Sequence, residues 1–187
     1  MANKDAAFGL KAIGKVGQNR DNQGLSEYGI AASSTAIYQG DPIMMAATGK
    51  IVVGTAAAVL LGSLNGVFFT DATTGKPTYA NHLNASNTAS DIVGFVSDDP
   101  YERFEIQSDA ALAVAEIGLN ADIVYAAGSS PNYVSKVELD HSDLKTATAQ
   151  LRVIGISKDP ENNEAGAADT NAVVIINEHF LKGTVGI

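Results

Sequence analysis

The chain has 187 residues, 45% of them apolar, with neither cysteine nor tryptophan and a formal charge of −9. At this length roughly 70% of the unfolded chain's surface can be buried, so one core forms without staples, and the missing cysteine removes disulfides, thiolate nucleophiles and Cys-ligated zinc. The acidity excludes nonspecific nucleic-acid binding by most of the chain, and no window approaches the 18 consecutive apolar residues of a membrane-spanning helix.

The first 26 residues differ from the rest. They hold Lys4, Lys11, Lys15 and Arg20 against Asp5 and Asp21, a formal +2, and leave −11 for the remainder. Gly9, Gly14, Gly17, Gly24 and Gly29 are too many glycines for a free helix, so residues 1–27 read as an extended N-terminal arm and residues 28–187 as the body. Phe8, Leu10, Ile13 and Val16 are spaced along the arm as apolar anchors for a partner, and Lys11, Lys15 and Arg20 as its source of specificity. Every strand-like run lies after Tyr28, so the body is expected to fold without the arm.

Seven β-branched or aromatic runs of strand length follow: Ile51–Val53, Val67–Phe69, Ile92–Val96, Phe104–Ile106, Ile123–Tyr125, Leu151–Ile156 and Val173–Ile176. Turn-rich pieces separate them, among them Gln39–Pro42, Thr74–Pro77, Asp98–Pro100 and Gly128–Asn132. Asp109 reads as an N-cap for a helix of about two turns over Ala110–Ile117, with Gly118 as its stop. Asn81–Ser90 is polar and without a strand signal, and Asp159–Asn171 is a long acidic loop that either contacts something or moves. The expected fold is all-β, a small barrel or sandwich with one or two short helices.

Catalytic and metal signatures are weak. Gly49-Lys50 and Gly75-Lys76 are followed by Ile51 and Pro77, where a phosphate-binding loop needs Ser or Thr. His82, His141 and His179 share no chelating spacing, and Asp159, Glu161 and Asn163 mimic a calcium loop only until Glu164 replaces its glycine and Thr170 its last glutamate. Asp98-Asp99 reads as a turn, and Tyr101-Glu102-Arg103-Phe104 is too acidic in context to stack on bases. No catalytic residue, metal or cofactor is expected, and neither nucleic acid nor a membrane as partner; a spatially assembled Ser, His and Asp site is a further alternative.

The order GKVGQNRDNQGLSEY, AIYQGDPI, GVFFTDATTGKP, DIVGFVSDDPYERFEIQSD, LRVIGISKDPEN and VVIINEH resembles the head decoration, or cement, proteins of tailed bacteriophages. That resemblance implies a β-barrel-like body made in the host cytoplasm and seated on the outside of an icosahedral capsid. It also implies an arm reaching the major capsid protein or neighbouring copies, with a trimer favoured over a dimer. The alternative is a tail or fibre module that binds host-surface carbohydrate. That function calls for exposed aromatic rings, whereas the aromatic residues here lie mostly inside strand-like runs.

Overall fold

The computed structural model describes residues 2–17, 24–31 and 35–182. Among them are fifteen strands and three 3-10 helices of three residues each, so the chain is all-β. The sheets do not close into a barrel, which leaves the sandwich-like arrangement. All seven expected runs form strands.

Sheet 1 is built mainly from the C-terminal half. It joins β10 (Glu102–Gln107), β15 (Asn171–Ile176), β14 (Leu151–Ile156) and β11 (Asn120–Ala121), and its far edge is β1 (Lys11–Lys15), in the order β1-β10-β15-β14-β11. All its pairings are antiparallel. Side chains alternate across a strand, so Phe104, Val174 and Val153, aligned by register, point to one side and seal a core with Ile106, Leu151 and Ile176.

Sheet 2 joins β2 (Ser26–Gly29), β9 (Val93–Ser97), β6 (Gly62–Thr70), β4 (Pro42–Met45) and β5 (Ile51–Val53), with β7 (Pro77–Ala80) also on β6. Its inner face gives a second core of Ile43, Ile51, Leu61, Leu64, Val67 and Val96. Two-residue strands complete the fold: β3 (Ile37–Tyr38) with β8 (His82–Leu83), and β12 (Ile123–Val124) with β13 (Glu138–Leu139). Asn81–Ser90 therefore does contain a strand, and Leu83 in it is buried.

Two further expectations are corrected. Ala110–Ile117 is not a helix; only Val114–Glu116 makes a 3-10 turn. The Asp109 carboxylate accepts the His141 N–H at 2.9 Å instead of capping a helix, and Glu116 Oε2 accepts the Ala113 N–H at 2.7 Å. The second correction concerns residues 2–17, which are extended but pack into the rest of the chain. Leu10 is 1% exposed inside the core of sheet 1, because β1 pairs with β10 and carries the preceding residue over that sheet's inner face.

The two halves are stitched by close backbone contacts. The Leu10 N–H donates to Gly40 O at 2.8 Å, and the Ser63 hydroxyl donates to Leu10 O at 2.5 Å. Gly9 and Gly40 have φ of +73° and +84°, and a Cβ on Gly40 would lie 2.4 Å from Phe8 O. Both positions therefore require glycine, for conformation and for space. Farther along, the Leu60 N–H donates to Glu178 O and the Phe180 N–H to Leu60 O, while buried Gln150 donates its side-chain amide to Thr55 O and Ala58 O.

Candidate partner-binding surface

The residues expected to meet a partner are placed differently from one another. Leu10 is core. Phe8 is half-buried and, with Leu10, Lys11 and Gly40, lines a cleft of about 380 Å³ between the halves; the Lys11 ammonium lies 5.9 Å from the Phe8 ring centroid. Ile13 and Val16 are exposed, at 40% and 49%. Lys15 is paired with Asp99 at 2.6 Å, and Arg20 lies outside the described residues.

The start of the chain is held by polar contacts that local sequence pattern does not reveal. The Asn3 amide donates to Glu164 O, Ala168 O and Thr170 Oγ1, at 3.1, 2.9 and 3.2 Å. The buried Asn162 accepts from the Lys4 N–H and donates to Lys4 O, and the buried Gln107 amide donates to Lys4 O at 2.7 Å. The acidic loop over Asp159–Asn171 is thus fastened to residues 3 and 4. Asp159 Oδ1 accepts the Glu161 N–H, which makes its calcium-like spacing a local turn.

The aspartate pair before Pro100 is structural as well. Asp98 accepts from the Ser26 and Tyr28 hydroxyls at 2.9 and 2.6 Å, tying β2, while its neighbour Asp99 holds Lys15 of β1. Burial, and then the bond to Asp98, push the Tyr28 phenol up to about 12. The hydrogen bond from Lys15 and the Tyr101 N–H hold the Asp99 carboxyl below the usual carboxylate range.

β1 forms the edge of sheet 1 among the described residues, with a bulge between Ala12 and Gly14. Behind it, register places Arg103, Ile175 and Arg152 side by side across β10, β15 and β14, and in the next outward row Lys11, Glu105, Val173 and Gly155. Ile154, 36% exposed, extends the same face, where an open groove of about 660 Å³ runs from Lys11 and Ile13 to Lys158 and Asp159, whereas Ile156, paired with Ala172, packs against the core on the other side. Glu105 is only 6% exposed; Lys11 Nζ stands 3.6 Å from it, and it accepts from the Ser157 hydroxyl and the Asn171 amide.

The outer face of sheet 2 is aromatic. Register sets Phe68 beside Tyr79, and Phe95 beside Gly66, which contributes no side chain. The Phe68 and Tyr79 ring centroids are 4.7 Å apart, Tyr79 and Phe95 6.3 Å, and Tyr79 is 75% exposed. Aromatic residues inside strand-like runs are thus available to solvent after all.

No family profile, curated protein or solved structure matches the chain.

Among the described residues, no group of three or more His, Cys, Asp or Glu side chains is arranged to hold a metal, and no helix is long and apolar enough to cross a membrane. The three histidines stay apart. His82 stacks on Tyr133 at 3.8 Å, His141 faces Glu116 at 3.2 Å, and His179 is buried with Nδ1 accepting the Leu181 N–H. Of the residues on this outer face, the sequence pattern singles out Lys11 and Ile13 but not Arg103, Arg152, Ile154, Val173 or Ile175. The available signal was the uninterrupted apolar run of β15, which asks for cover on both sides of the sheet.

Proposed function

We propose that this chain is a non-enzymatic structural protein of a tailed-bacteriophage head, one that binds the outer surface of the capsid and bridges major capsid protein subunits. The observation that carries the reading is an edge strand, β1, whose exposed Ile13 continues into an aliphatic, basic sheet face on an otherwise acidic chain. An exposed edge can take an added strand, and a face of this kind is suited to burial against protein. A clamp that contacts neighbouring subunits at once adds binding free energy that exists only in the assembled lattice. The partners are then the major capsid protein and neighbouring copies, a trimer being favoured, and the location is the outside of the virion after synthesis in the host cytoplasm. Electron microscopy of purified particles, with an antibody against the chain, tests this: regular labelling of heads is expected, and unlabelled heads would refute it.

A second reading, a tail or fibre module that binds host-surface carbohydrate, is favoured by one observation, the open aromatic face of Phe68, Tyr79 and Phe95. Rings of this kind stack on the apolar faces of sugars. Glycan-array binding that Tyr79→Ala abolishes would support it, and labelling of tails instead of heads would select it over the first.

A further inference from the structure

We infer that the chain docks through the whole outer face of sheet 1, not through its N-terminal segment alone, and that the partner is a protein surface with carboxylates set around an aliphatic centre. This rests on the proposed role at the capsid and names the surface that would perform it.

Two features of the face point there. A solvated antiparallel sheet alternates apolar-in with polar-out. Here the outward positions include Ile13, Ile154, Val173 and Ile175, of which the first two are exposed and the others half-buried. Charge is the second feature. Lys11, Arg103, Arg152 and Lys158 surround those aliphatics against Glu105 and Asp159, a formal +2 within a chain of −9. Glu105 is almost fully covered and already held by Lys11, Ser157 and Asn171, so it offers a partner no open carboxylate, and Arg103, Arg152 and Lys158 stand against Asp159 alone.

Phosphate chemistry fits this face less well than carboxylate chemistry. A nucleic-acid groove pairs its cations with aromatic rings for the bases. This groove has no aromatic lining, and Asp159 stands at its end. Arginine forks bind carboxylates in two-point fashion, and aliphatic side chains between them pack against protein. Complementary charge also selects the partner and speeds encounter, and salt screens it.

Zero-length carbodiimide coupling on purified particles of the encoding virus, which joins amines only to carboxylates they touch, tests the inference on the unaltered chain. Lys11 and Lys158 are expected to be joined to Asp or Glu of a different protein, while Lys50 and Lys76, near sheet 2, are not. In parallel, full-length Arg103→Glu/Arg152→Glu, which also removes the Arg152 bond to Asn120 Oδ1, is expected to keep a cooperative melting transition but to lose occupancy on particles at least tenfold at 0.15 M salt, and Lys50→Glu/Lys76→Glu to bind as the parent does. Particle-bound protein coupled to the shell only through Lys50 or Lys76 would overturn the inference and leave the capsid role standing. So would a charge-reversed pair that folds and keeps its occupancy, or duplex DNA bound through the same two arginines at that salt. Absence of the chain from particles would overturn the capsid role and the inference together.

Discussion

Sheet 1 turns Ile154, Val173 and Ile175 outward among arginines and lysines, whereas sheet 2 turns outward Phe68, Tyr79 and Phe95, with Glu27 opposite Phe95 in the register. Their inner faces are alike, close-packed Leu, Ile and Val in both. Folding constrains the inside to one chemistry and leaves the outside free, so the outer faces are where the two sheets differ. The N-terminal segment belongs to this contrast, since Leu10 serves the inside of sheet 1 and Ile13, three residues on, its outside.

Leu10→Ala is expected to be the most damaging single change to sheet 1. A fully buried leucine truncated to alanine costs about 2–5 kcal/mol, so a large drop in the urea midpoint is expected, and deleting residues 1–16 should cost more. A deletion that melts like the parent would return the segment to the status of a separable arm. Gly40→Ala should cost about 2 kcal/mol or more, because it combines a left-handed backbone with a Cβ 2.4 Å from Phe8 O. Chemical denaturation checks it; a neutral result would mean that the two halves are not stitched at that point.

A third test reads acidity. Burial, helped by Lys182, pulls the His179 imidazole down to about 4, so its contribution to stability is fully present above about 6.5 and is lost as pH falls toward 4. Burial pushes the Asp41 carboxyl up to about 6, so its contribution is fully present below about 4 and is lost as pH rises to 6. Compared with the parent, His179→Gln should remove the acid-side loss and Asp41→Asn the loss on the rising side, both measured as urea midpoints from pH 4 to 7. Equal pH profiles for parent and variants would contradict this. The smallest effect is expected outside: Tyr79→Ala should change stability by about 0.5 kcal/mol or less. A larger loss would mean that the aromatic face belongs to the fold rather than to a partner.

How much was legible in the sequence depended on whether the signal was local. Runs such as Leu151–Ile156 and Val173–Ile176 are β-branched and bounded by turns, and they form strands over almost the same residues. β1 was not legible, because Gly14 and the flanking lysines weaken any strand pattern and its pairing depends on β10, far along the chain. Asp109 had the look of an N-cap, but a long-range bond to His141 claims its carboxylate. Leu10 and Ile13 looked equivalent as anchors; only the sheet's inside and outside separate them. The basic face was hidden for a similar reason, since Arg103 and Arg152 are far apart in sequence and meet only across β15.

The fastening of Asn3 to Thr170 spans 167 residues of sequence. At roughly 5–20 residues per second of synthesis, the first residues wait on the order of 10–30 s before their partners exist. Native pairing of β1 requires β10, and the loop that grips Asn3 lies between β14 and β15, so closure at the N-terminal segment is a late step in the birth of the molecule. Its glycines and lysines suit that delay: they keep an unpaired strand soluble and disinclined to pair with the wrong edge until its own sheet is ready.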